Sequence, residues 1–302
     1  MYYVVYGFLW LISLIPFRIL YVISDFIYGF VFYVFKYRRD VVMKNLLIAF
    51  TEKTEKERLK IAKQFYHNLI DTFLESIKFI TISKKQIEKR STADFEMVND
   101  LTDKGYNVHI MAGHQFNWEF GNLLASMKLK APFAGIYMPI SNKHLNRIFY
   151  NFRKRYGTIL ISATEYKNNI AHSVFSSKYT FGLAADQNPG NPSNSYWMNF
   201  FGRPAPFAPG PAKGAVKNNI AVVFVGFHKL KRGYYHFETK LITENAKDFK
   251  DGELTRLYRD FLEETIRQQP DNYLWTHRRY RHQYNPQEHE HLWNDSRPKP
   301  SV

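Results

Sequence analysis

Apolar residues are spread along the chain in three different rhythms. From Met1 to Phe35 they are nearly continuous: no charge precedes Arg18, only Asp25 interrupts the stretch beyond it, and Lys36, Arg38 and Arg39 close the run. A membrane span needs roughly 20 apolar residues. One tilted transmembrane helix, a pair of helices lying partly in an interface, or a hydrophobic core pair would each satisfy this stretch. A signal peptide fits poorly, since no basic residues precede the apolar run and no small-residue cleavage site comes after it.

The second rhythm is helical. Thr54 and Glu57 form a capping-box pattern, after which Leu59, Ala62, Phe65, Leu69, Phe73, Ile77 and Ile80 recur at the spacing of an amphipathic helix that packs on a core. The basic stretch Lys84 to Arg90 reads as a solvated connection.

From Tyr106 onward short apolar runs alternate with helical patterns. Strands are expected at Val108 to Ala112, Phe133 to Tyr137, Thr158 to Ile161, Tyr179 to Ala185, Ile220 to His228 and Tyr234 to Ile242. Helices are expected at Lys143 to Tyr156, Asn169 to Ser177 and Glu253 to Gln269, the last stopped by Pro270. This alternation predicts an α/β fold with a central mixed, largely parallel sheet flanked by helices. No internal repeat is present. Asp186 to Pro211 reads as a long Pro-, Gly- and Asn-rich loop whose aromatic cluster, Tyr196, Trp197, Phe200 and Phe201, argues for order. The chain divides into a membrane-anchoring segment at 1–39, a main domain at 40–284 and a polar tail at 285–302. In that tail Glu288, His289, Glu290 and His291 read as solvated rather than as a metal site.

Composition narrows the functional classes. The 302 residues suffice for a full core. With no cysteine, structural disulfides, thiolate zinc sites and a cysteine-bound acyl intermediate are excluded. The net charge of +15 points to an anionic partner, such as a phospholipid surface, a phosphorylated substrate, an acidic protein or nucleic acid. The 17% aromatic content favours a membrane or an apolar ligand. No helix-turn-helix, zinc knuckle or RNA-binding aromatic motif supports nucleic acid.

The chemistry centres on YNVHIMAGHQFNWEFG, Tyr106 to Gly121. A strand ending at Gly113 would present His114 at a strand end, where α/β folds place their sites. Five positions on a regular helix separate two side chains by about 140°, so His114 and Glu119 meet only if His114 precedes the helix. The pair then suits a general base and an orienting carboxylate. A structural histidine at a helix start is the plain alternative. Arg147, Arg153 and Arg155 read as a cationic face able to hold phosphate or an oxyanion, or as a solvated helix surface. Asp186 and Gln187 occupy another strand end, where Asp186 also suits a turn or cap. Trp275, His277, Arg278, Arg279 and Arg281 combine aromatics with cations.

Several segments together, in order, resemble the late acyltransferases of lipid A biosynthesis, the lauroyl and myristoyl transferases. They are Gly113-His114 with Asn117-Trp118-Glu119; Asn142 with the helix ending Arg153-Lys154-Arg155-Tyr156-Gly157; Asp186-Gln187; Phe200-Phe201-Gly202 with Gly210; and Trp275-Thr276-His277-Arg278-Arg279. Phe116, where a Gly is usual, and Met138, where many members have Arg before Pro139, depart from the pattern. The resemblance implies a glycerolipid-acyltransferase-like fold anchored at the inner membrane, its catalytic domain on the cytoplasmic face. It implies transfer of a fatty acyl chain from an acyl carrier protein to a hydroxyl of a lipid A precursor, without cofactor or metal and without nucleic acid. His114 would be the base and Glu119 its partner. Arg153, Arg155, Asn117, Asp186 and Gln187 would serve the oxyanion and substrate, and Arg147, Arg278 and Arg279 phosphate or the carrier protein. Another lipid acceptor (glycerol phosphate, an ornithine lipid or a mannosylated lipid) and a non-catalytic protein of anionic membranes stay open as alternatives.

Overall fold

A computed structural model describes residues 1–165 and 173–299. The amino-terminal run folds as two helices, α1 (Tyr2–Leu14) and α2 (Phe17–Gly29), separated at Pro16, and α2 continues into a π turn at Phe30–Val34. After them come α3 (Arg39–Ala49), α4 (Glu55–Lys78), α5 (Lys84–Arg90), β1 (Ser91–Ala93), α6 (Glu96–Asp103), β2 (Val108–Ala112), α7 (Trp118–Lys128), β3 (Phe133–Tyr137), α8 (Lys143–Arg153), β4 (Ile159–Ser162) and β5 (Thr180–Ala184). The antiparallel pair β6 (Tyr196–Phe200) and β7 (Arg203–Phe207) stands apart from the main sheet. The Gly210–Asn218 helix, β8 (Ala221–Lys231), β9 (Tyr234–Thr243) and the Glu253–Gln268 helix complete the main part of the fold.

The expected strands are all present within one to three residues, and the Thr54–Glu57 capping box forms with both reciprocal hydrogen bonds. Two expectations are corrected. Lys84–Arg90 is a helix, because Ser83 and Gln86 close a second capping box ahead of it. Asp186 to Pro211 is no structureless loop, since the β6–β7 pair lies within it. Much of the expected helix Asn169 to Ser177 falls outside the described residues; Ser173–Ser176 forms a single 3-10 turn.

The seven-stranded sheet has the order β1-β9-β8-β2-β5-β3-β4, antiparallel only between β8 and β9. Its central strands are buried on both faces, as a sheet covered by helices requires. Met111, Phe181, Val222 and Phe224 face one core, filled by Leu254, Tyr258, Leu262 and Ile266 of the Glu253–Gln268 helix. Val108, Ile110, Val223 and Val225 face a second, filled by Phe120, Leu123 and Leu124 of α7. Truncating a buried phenylalanine such as Phe120 would cost about 3–5 kcal/mol.

Helix α2 seats one face on the domain. Phe17, Leu20, Ser24 and Tyr28 are buried, Ser24 Oγ donates to Asp71 Oδ1 of α4 at 2.7 Å, and Arg232 from the β8–β9 turn bridges Asp25 and Asp71. The opposite face, with Ile19, Val22, Ile23, Phe26 and Phe30, is exposed and apolar. Phe17–Val34 is also the one helical segment among the described residues long and apolar enough to cross a membrane, with a mean hydropathy of 1.6.

The segment after Tyr284, a solvated tail by its polar sequence, is instead tied to the domain. Asp295 meets Arg259 in a bidentate ion pair at 2.6 and 2.9 Å, both side chains fully buried, and accepts a hydrogen bond from the Asn199 backbone N–H at 2.6 Å. His289 lies over the Trp197 ring, 4.6 Å between centroids. An isolated polar sequence gives no sign of such a partner. Because a buried guanidinium that loses its carboxylate is costly, Asp295→Ala should lower the unfolding free energy by about 3 kcal/mol. Urea denaturation of the full chain measures this; a change below about 0.5 kcal/mol would show the pair to be inconsequential.

Candidate active site

Neighbouring parallel strands carry their trailing loops side by side. β2 pairs with β5 in a register that sets Ala112 opposite Ala184. Two residues beyond each lie His114 and Asp186, so residues 72 apart in sequence come into contact. His114 Nδ1 lies 2.7 Å from Asp186 Oδ1, and the His114 backbone N–H donates to Asp186 Oδ2 at 2.9 Å. Both carboxylate oxygens are thus used by one residue. Gly113 is needed for a reason of space: a Cβ there would lie 2.6 Å from Leu262 Cδ1 on the helix behind the loop.

Asp186 is fully buried, whereas 28% of the His114 side chain is exposed. Burial of the imidazole lowers its pKa, and the Asp186 carboxylate more than reverses this, so His114 sits above the ordinary histidine value. Burial likewise pushes Asp186 upward, but His114 and the backbone hydrogen bonds pull it down to about 2. Asp186 therefore stays ionised and accepts a hydrogen bond from the Nδ1–H, which leaves Nε2 as the basic nitrogen.

The expected hydrogen bond between His114 and Glu119 is not made. Glu119, buried in the first turn of α7, accepts from Arg153 Nε at 3.1 and 2.9 Å and from Trp118 Nε1 at 3.2 Å, and also pairs with Arg153 Nη2. The reason lies in the fold: α7 and α8 pack against each other, which brings the end of α8 to the start of α7, while Asp186 already occupies the near side of His114.

The other candidates separate. Arg153, 18% exposed, lines the same cavity as His114, Glu119 and Gln187. Arg155 turns away and donates to the Phe79 and Ile82 carbonyls just beyond the end of α4. Arg147 is exposed, with its guanidinium 4.3 Å from the Tyr2 ring centroid. The three arginines thus form no common cationic face. Asn117 is buried and structural in its contacts: its Oδ1 caps α7 by accepting from the Glu119 N–H at 3.0 Å, and its Nδ2 donates to Glu75 at 2.9 Å. Arg279 is buried, donates to Asn188 Oδ1 at 3.1 Å and lies 4.4 Å from the Phe207 ring centroid, which removes it from the surface available to a protein partner. Arg278 is exposed.

The cavity has a volume of about 450 Å³ and is amphipathic. His114, Trp118, Glu119, Arg153 and Gln187 supply its polar part, and Ile110, Ala125, Phe133, Val225, Phe227 and Phe237 much of its apolar part. Met138, exposed, also lines it. Phe116 lies outside, fully buried and stacked on Phe65 at 5.8 Å, and fills a core position on the far side of the motif. Glu75, buried beneath the motif, is invisible in sequence, where it reads as one polar residue in an amphipathic helix.

A histidine–carboxylate pair at parallel strand ends beside a largely apolar cavity is an arrangement that α/β enzymes use for acid–base chemistry. The sequence profile of the family described as bacterial lipid A biosynthesis acyltransferase matches residues 1–282, and the chain belongs to that family. No curated protein matches the chain.

Replacing Asp186 by Asn removes the influence that raises the His114 pKa while leaving the burial that lowers it. The imidazole of Asp186→Asn should accordingly titrate at a lower pH than in the wild type, as monitored by NMR of its ring protons. An unchanged or higher value would contradict the pairing.

Proposed function

We propose that the chain transfers a fatty acyl group from an acyl carrier protein thioester to a hydroxyl of a lipid A precursor, with His114 as general base and Asp186 as its orienting carboxylate. The observation that carries this reading is the His114–Asp186 pair, whose histidine lines an amphipathic cavity that also holds the Glu119–Arg153 pair. His114 Nε2 takes the proton of the acceptor hydroxyl as its oxygen attacks the thioester carbonyl. The tetrahedral intermediate then collapses, the carbon–sulfur bond breaks, and the leaving thiolate recovers the proton from the imidazolium. No covalent enzyme intermediate is required.

Arg153 is the cation placed to meet the developing oxyanion, and Glu119 is the group that holds it there. In this role Glu119 serves the reaction through Arg153 rather than through His114. The apolar part of the cavity would receive the acyl chain, and Gln187, which also lines it, would meet the acceptor. The +15 charge suits both an acidic carrier protein and glycolipid phosphates. The exposed apolar face of α2 and the aromatics of α1 would lie in the inner leaflet, with the catalytic domain on the cytoplasmic side.

His114→Ala should reduce transfer by about 10²- to 10⁴-fold while the protein folds and binds vesicles normally. Since the base must be neutral, kcat/KM should rise with pH through the raised His114 pKa, and Asp186→Asn should move that rise toward acid while lowering its plateau. Mass spectrometry of lipid A from cells with and without the protein reads the product directly. Near-normal transfer by His114→Ala, or no difference of one acyl chain, would overturn the assignment.

A further inference from the structure

Three hydrogen bonds converge on a carboxylate that the transfer mechanism does not use. Glu75 of α4 is buried; it accepts from Tyr21 of the apolar-faced helix α2 at 2.8 Å, from Tyr235 of β9 at 2.7 Å and from Asn117 of the catalytic motif at 2.9 Å. Asn117 cannot move independently of the site, because its other side-chain atom accepts the Glu119 N–H at 3.0 Å and so starts α7. Glu119 in turn holds Arg153 in the cavity. A continuous set of contacts therefore runs from α2 through Glu75 and Asn117 to the Glu119–Arg153 pair.

We infer that Glu75 is a positioning residue, which ties the seating of helix α2 on the domain to the geometry of the Glu119–Arg153 pair through Asn117. The chemistry of a carboxylate suits this task. Its two oxygens offer about four acceptor sites, enough for three donors arriving from three elements, whereas an amide can satisfy only part of that set and sets an N–H2 against the rest. A buried donor left without an acceptor is costly, so Asn117 must either stay unpaired or shift. Any shift of Asn117 frees the first turn of α7, on which Arg153 depends. The role in catalysis rests on the acyltransferase reading; the mechanical coupling does not.

Hydrogen exchange on the full chain tests the coupling without turnover. In Glu75→Gln the amide of Glu119, and its neighbours over 117–121, should exchange about tenfold faster than in the wild type, while the amides of 221–227 in the central strand keep their protection. Tyr21→Phe, which alters only the α2 end of the chain of contacts, should accelerate the same amides by a smaller factor, and adding it to Glu75→Gln should produce no further change. In transfer assays with vesicle-bound protein, acyl carrier protein thioester and a lipid A precursor, Glu75→Gln should lose about tenfold in kcat with KM for the donor within about twofold. Unaltered exchange at 117–121, loss of protection across the sheet as well, or additive effects of the two substitutions would each overturn the proposal. If the wild-type protein transfers no acyl group, the function fails and the exchange result still decides the coupling.

Discussion

The parallel pairing of β2 with β5 is the constraint that creates the site. A register that sets Ala112 against Ala184 starts the two trailing loops side by side, and two residues on a fully buried Asp186 meets a partly exposed His114. Isolated, a buried ionised carboxylate would be costly. Here one histidine supplies both a ring nitrogen and its backbone N–H, and the ring gains orientation from the same contacts. Shifting the register by one residue would turn the side chains to opposite faces and separate the pair.

Buried carboxylates organise the structure around and beneath the His114 motif. In this part of the molecule each buried carboxylate has its own partners: Asp186 has His114, Glu119 has Arg153 and Trp118, Glu75 has two tyrosines and Asn117, and Asp71 has Arg232 and Ser24. These groups come from several different elements and from loops, so the polar contacts cross-link layers that apolar packing alone would hold less specifically. They also explain how a strongly basic chain keeps an acidic set at its centre. Asp186, Glu119 and Asp71 are each held by a histidine or arginine and Glu75 by three neutral donors, so every one of these buried carboxylates has its acceptor sites engaged.

The amino-terminal helices join this arrangement. α2 is apolar outward and mixed inward, where Phe17, Leu20 and Tyr28 pack on the domain while Tyr21 and Ser24, with Asp25 at the edge, tie the helix to the groups beneath the His114 motif. Its orientation is thereby set by buried apolar packing together with hydrogen bonds and ion pairs, and the opposite face is left apolar and exposed.

Local pattern is enough to place the elements that frame the site. The alternation of short β-rich runs and amphipathic helices defines an α/β sheet, the strand ends mark His114 and Asp186 as candidate positions, and the ordered motifs indicate the family that the matched 1–282 region bears out. Partner choice is decided by tertiary structure. Proximity in sequence suggests Glu119 for His114, yet parallel register chooses Asp186, and the packing of α7 on α8 gives Glu119 to Arg153. Arg155 and Arg279 look like free cations until helix ends and aromatic rings claim them, and the polar tail finds Arg259 only because the Glu253–Gln268 helix presents it. Periodicity reports which face of an element is buried; it carries no information about which distant residue meets that face, because strand order and register are properties of the whole sheet.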